Sequence, residues 1–215
     1  MSMKLQFLVG SACYGLSVET SDTDVYLVGN GDYIMSECKK PHVIHDSSDI
    51  FIRKSLLEYQ KHPLFLQALF PAKSLINTDA SRFIEETREM AIRSNLKSVY
   101  DTHISIGSGL LYLMEEFTLR APKRVAYGIL FLDTIYRYAE GATFAEAIRP
   151  EEDLCQILLD IRRKKLDPAE VTALGKDKIE LAKSVHKFYE NSNDESDRLY
   201  LTNWRKEMLE ILRED

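Results

Sequence analysis

With 215 residues, 45% of them apolar, the chain is long enough for one large or two small domains, and global disorder is excluded. A formal net charge of -6 argues against a general electrostatic binder of nucleic acid, although a local basic strip with a bound cation can still hold a nucleic-acid end. The cysteines Cys13, Cys38 and Cys155 are scattered and odd in number, which points to free thiols in a reducing, cytoplasmic compartment; no run approaches the roughly 18 apolar residues of a membrane span.

The first fifty residues read differently from the rest. Lys4 to Val9 is a short apolar run stopped by Gly10-Ser11, as expected of a buried strand entering a turn. Cys13 to Val18 leaves room for about one or two helical turns. Asp24 to Val28 predicts a second strand closed by Gly29-Asn30-Gly31-Asp32, and Asp49 to Ile52 predicts a third. From Arg53 onward the spacing is helical. One or two short helices are expected up to Phe70, then a helix with Asp79 as its N-cap. Longer ones are expected near Val99–Leu119, Lys123–Ala139, Asp153–Lys164, Pro168–Tyr189 and Asp197–Leu212, with Asp167 capping an N1 proline at Pro168. The pattern predicts an α+β fold: a small mixed sheet with flanking helices over residues 1–95, then an all-helical region over 96–215.

The segment richest in chemistry runs from Gly10-Ser11 to Ser21-Asp22-Thr23-Asp24. Glycine lets the backbone come close to a phosphate, and the Ser11 hydroxyl can donate a hydrogen bond to its oxygens. A helix starting just after would add free N–H groups that favour an anion. Residues i and i+2 of a strand share a face, so Asp22 and Asp24 would offer two hard oxygen donors suited to Mg²⁺, or to Mn²⁺ in its place. The third carboxylate is Asp49, which opens the third apolar run, or Asp46 close by. The bland alternative is a strand-ending turn at Gly10-Ser11 with solvated acids at Asp22 and Asp24.

At these residues the chain resembles the nucleotidyltransferase superfamily of DNA polymerase β, and within it the RlaP group, the RNA-repair-pathway family of bacteria and phages. That group's glycine-serine, tyrosine-glycine and Ser-Asp-x-Asp elements correspond to Gly10-Ser11, Tyr14-Gly15 and Ser21-Asp22-Thr23-Asp24. Asp49 to Phe70, Lys123 to Gly141 and Leu158 to Val171 are similar to its later segments. The resemblance implies Gly10, Ser11, Tyr14, Gly15 and Ser21 at a nucleotide triphosphate (NTP), with Asp22, Asp24 and Asp49 as metal-binding catalytic acids. It also implies transfer of a nucleoside monophosphate from the NTP to a hydroxyl, with a nucleic-acid 3′ end, a protein side chain or a small molecule as acceptor. Two departures bear on the acceptor side: Ala12 stands where arginine is frequent, and Gly128 and Phe131 stand where members often carry histidine and arginine. Two rival readings are a catalytically silent module that binds nucleotide or a partner, and a protein-modifying enzyme of toxin–antitoxin type. No membrane partner is expected, and no oligomeric state follows from the sequence.

Cys38, His42 and His45 lie close together without a fourth ligand or a finger-like spacing, so they read as a loop before the third strand. Gly107-Ser108-Gly109 has no Asp-x-Asp after it and sits in a helical pattern, where small residues let two helices approach. Arg162 to Lys165 reads as a basic helix end, with phosphate contact as the alternative. Trp204 is expected to anchor the last helix.

Overall fold

The computed structural model describes residues 3–29, 41–47, 50–51, 75–111, 121–190 and 195–213. It is α+β, with a three-stranded mixed sheet near the N-terminus and mostly helices among the other described residues. The chain groups into two compact units. The first comprises Met1–Tyr14, Thr20–Asn95 and Ser192–Asp215; the second comprises Gly15–Glu19 and Leu96–Asn191.

In the first unit β1 (Met3–Val9) pairs antiparallel with β2 (Thr23–Gly29), which pairs parallel with β3 (Pro41–Asp46). The central strand reads as an almost unbroken apolar run because both of its faces are covered: Val25, Tyr26, Leu27 and Val28 are all buried. Val25 and Leu27 pack with Leu8 and Ile76 on one face. On the other face Tyr26 lies beside Phe51, ring centroids 6.2 Å apart, and its register partner Phe7 is buried. The Leu75 N–H donates to the Gln6 carbonyl at 2.8 Å, so returning chain meets the outer edge of β1.

The third strand differs from the expected one. It is Pro41–Asp46, while Ile50 and Phe51 are helical. The reason is local. Ser47 acts as a helix cap: its hydroxyl accepts from the Ile50 N–H at 3.3 Å and its carbonyl from the Phe51 N–H at 2.9 Å. Pro41 is compatible with the strand because it takes the first position of an edge strand, where its missing N–H is tolerated. Residues 52–74, including the expected short helices, lie outside the described residues.

Helix α1 (Asp79–Arg93) is capped by Thr78 rather than Asp79. The Thr78 hydroxyl accepts from the Ser81 N–H at 3.1 Å, and Ser81 Oγ accepts in return from the Thr78 N–H at 2.9 Å. The second unit begins with α2 (Leu96–Leu111) and continues through α3 (Pro122–Ala139), α4 (Phe144–Ala147), α5 (Glu152–Arg162), α6 (Pro168–Ser184) and α7 (His186–Glu190). The chain then closes the first unit with α8 (Glu195–Arg213). Asp167 caps α6 ahead of Pro168, as read from the sequence. The helix expected to run on to Tyr189 is interrupted at Val185.

Within the second unit α3 is buried on nearly every side. It approaches α2 closely at Gly107, where a Cβ would stand 2.7 Å from Leu132 Cγ and 3.1 Å from the Gly128 carbonyl oxygen. Small residues therefore set the helix spacing here, and the second glycine-serine is explained by packing. The one acid inside α3, Asp133, is held by Lys178 of α6 at 2.6 Å. In the first unit Trp204 of α8 lies 5.6 Å from Phe83 of α1 between ring centroids, and its indole N–H donates to Thr87 Oγ1 at 2.6 Å. The expected anchoring role of Trp204 is what the structure displays.

Candidate functional site

The turn after β1 is shorter than a helix. Gly10–Ala12 forms a single 3₁₀ turn, closed by the Cys13 N–H donating to the Gly10 carbonyl at 3.1 Å. No α-helix follows before β2, so the expected helix-terminus field at this turn is absent among the described residues. What the turn does have is a glycine in the left-handed region, at φ +66°. The antiparallel register sets Val9 opposite Asp24, and this brings Gly10 against the Asp24 carboxylate. A Cβ built on Gly10 would stand 2.5 Å from Asp24 Oδ2, closer than real Cβ contacts come. Glycine is thus required twice over, by backbone conformation and by the acid beside it.

Ser11 follows inside this turn, 1% exposed, with its Oγ lacking a hydrogen-bond partner among the described residues. A buried hydroxyl left this way costs about 1–3 kcal/mol, so it marks a place where a ligand acceptor would be gained at no new desolvation cost. Tyr14 is buried and Gly15 exposed, the latter at φ +72°. Ser21 is half-buried, just ahead of β2.

Asp24 lies on β2 with its register partners Val9 on one side and His42 on the other. His42 Nδ1 is 3.0 Å from Asp24 Oδ1. Asp22 is exposed and stands just before Thr23, the first residue of the strand, so its carboxyl is not fixed by the ladder. Asp46 is paired in register with Val28, four positions along β3 from His42 and therefore about 13 Å along the sheet from Asp24. It is buried and accepts a hydrogen bond from the Tyr26 hydroxyl. Burial, with the Asp46 carboxylate second, pushes the Tyr26 phenol above its ordinary range, so the hydroxyl keeps its proton and the pair stays closed. Asp49 lies outside the described residues, as does Cys38.

Among the described residues, then, Gly10, Ser11 and Asp24 come together, with Asp22 next along the chain, and Asp46 is engaged elsewhere. No group of three or more His, Cys, Asp or Glu side chains among them converges to hold a metal ion. The residue the sequence reading passed over is His42, taken there as part of a loop. The β-branched pair Val43-Ile44 carried a strand signal, but the pairing of His42 with Asp24 depends on a non-local register. The basic run after α5 is partly committed: Arg163 pairs with Glu19 at 3.2 Å and Lys165 with Asp160 at 3.7 Å. No helix among the described residues is long and apolar enough to cross a membrane. Comparison of the sequence with models of protein families and with curated proteins gave no match.

Proposed function

We propose that the turn at Gly10-Ser11 receives the triphosphate of an NTP and that the chain transfers the nucleoside monophosphate to an acceptor hydroxyl, releasing pyrophosphate. One observation carries this reading. A left-handed glycine lies against a strand-borne carboxylate, and the next residue carries a buried serine hydroxyl with no partner among the described residues. The donor types suit the ligands: Gly10 offers backbone with no side chain of its own, and the Ser11 hydroxyl can donate to a phosphate oxygen. Asp22 and Asp24 are hard oxygen donors of the kind that hold Mg²⁺ or Mn²⁺, usually one or two per ion with water and phosphate completing the shell. Such a cation neutralises phosphate charge and lowers the pKa of an acceptor hydroxyl.

The chain's own contribution is placement. Gly10 permits close backbone approach, Ser11 orients a phosphate oxygen, and Asp24 meets the ligand from the strand side. In this reading Asp49 is the third acid, whereas Asp46 is committed to Tyr26. The resemblance to the RNA-repair-pathway group favours a nucleic-acid 3′ end as acceptor over a protein side chain. The test is incubation with each α-labelled NTP, Mg²⁺ or Mn²⁺, and a mixed pool of RNA, DNA and protein. Label transfer that is present in the parent and lost in Asp22→Ala and Asp24→Ala supports the proposal; equal transfer in all three removes the site.

A further inference from the structure

We infer that His42 is a positioning residue for Asp24, holding one carboxylate oxygen so that the other faces the Gly10-Ser11 turn. This rests on the reading of that turn as a triphosphate site. A carboxylate accepts hydrogen bonds and cannot donate them, so the 3.0 Å contact requires His42 Nδ1 to carry the proton. The two oxygens of Asp24 are thereby distinguished. Oδ1 is engaged by His42, while Oδ2 stands 2.5 Å from where a Cβ on Gly10 would be. The terminal torsion of an aspartate is broad and roughly two-fold, so backbone geometry alone leaves the carboxylate plane loosely set. A donor on the neighbouring strand, at the position paired with Asp24, fixes that plane.

The His42 side chain is 67% exposed and the Asp24 side chain 21%. A contact that open adds little to the fold, so its replacement separates ligand positioning from stability. His42→Phe keeps a planar ring and removes the donor, whereas His42→Asn keeps a donor the same number of bonds from the backbone as Nδ1.

Calorimetric titration with the manganese complex of inorganic tripolyphosphate, a probe with no base to select, is the test, run alongside thermal melting. The parent should bind, and Asp24→Asn should lose binding. His42→Phe should weaken binding about 10-fold, the lower end of the effect of removing a group that orients a metal ligand. His42→Asn should recover most of that loss, and both His42 variants should melt within about 2 °C of the parent. If His42→Phe binds like the parent while Asp24→Asn does not, the positioning role is wrong and the site stands. If His42→Asn is as weak as His42→Phe, the donated hydrogen bond is not what matters, and the inference is overturned. If the parent does not bind, or Asp24→Asn binds like the parent, the triphosphate reading itself falls.

Discussion

Substituting Gly10 by alanine tests the geometry on which the site is built. Two separable effects are expected. The first is conformational: at φ +66° an alanine carries the penalty of the left-handed region, about 1–2 kcal/mol. Gly141, at φ +106° with no atom within 4 Å of its would-be Cβ, faces a backbone penalty with no collision and serves as the reference. For a chain of this size each 1 kcal/mol moves the melting temperature by about 2–4 °C, so a penalty of that size corresponds to a fall of about 2–8 °C in either variant. The second effect belongs to Gly10 alone. A new Cβ 2.5 Å from Asp24 Oδ2 must drive that oxygen back to at least 3.0 Å, and to 3.4 Å for ordinary contact. A displacement approaching 1 Å at a charge-bearing group is enough to lower a rate about 100-fold. Circular-dichroism melts and label transfer from an α-labelled NTP read the two effects separately. Gly10→Ala should lose stability and transfer together, Gly141→Ala stability alone. A Gly10→Ala protein that transfers label at the parental rate refutes the reasoning.

Three further outcomes follow from buried groups. Ser11→Ala removes a hydroxyl that has no partner among the described residues, so the ligand-free protein should be unchanged or more stable by up to about 1 kcal/mol, while the melting gain on adding Mn²⁺ and tripolyphosphate should shrink. His103 is buried between Phe131 and Phe144 and donates from Nδ1 to the Val99 carbonyl at 2.9 Å; burial pushes its pKa down to about 4, against a smaller opposing effect of that hydrogen bond. The unfolded chain, titrating near 6.5, binds more protons between these values, so the contribution is whole above pH 6.5 and is lost as pH falls toward 4, by up to about 3 kcal/mol. Urea midpoints across that window should show a slope that flattens in His103→Leu. Lys178→Met strands the Asp133 carboxylate and should cost about 3–5 kcal/mol, while the double variant with Asp133→Leu should recover most of it; an additive double-variant cycle would contradict the pairing.

Local signals carried well through the chain. The strand-to-turn transition at Val9-Gly10, the apolar run of β2, the Asp167-Pro168 helix start and the helices around Lys123–Ala139 and Asp153–Lys164 match described elements within a few residues. Each depends on side chains adjacent in sequence or one helical turn apart. The misreadings share a cause. Ile50-Phe51 has strand composition, yet Ser47 three positions earlier caps a helical turn, and the cap prevails because it satisfies N–H groups that composition does not count. Thr78 and Asp79 are both capping residue types, and only the reciprocal bond with Ser81 decides between them. Helix α4 went unseen because it is a single turn, secured by the Thr143 and Glu146 box. Of the candidate site, Gly10, Ser11 and Asp24 were legible as types and spacing. The face shared by Asp24 and His42, and the distance of Asp46 from it, are matters of strand register that no short window of sequence encodes.

The return of α8 to the first unit has a consequence for biosynthesis. Trp204 meets Phe83 and Thr87 across more than a hundred intervening positions, and the Leu96–Asn191 part of the second unit is translated between them. While the ribosome is still making α2 to α7, the face of α1 that will receive the indole has no cover. The helical unit can mature as it emerges, whereas the sheet-bearing unit is finished only after its last segment leaves the exit tunnel. Nascent chains stalled before Ser192 should accordingly display a protease-sensitive first unit beside a protected second one.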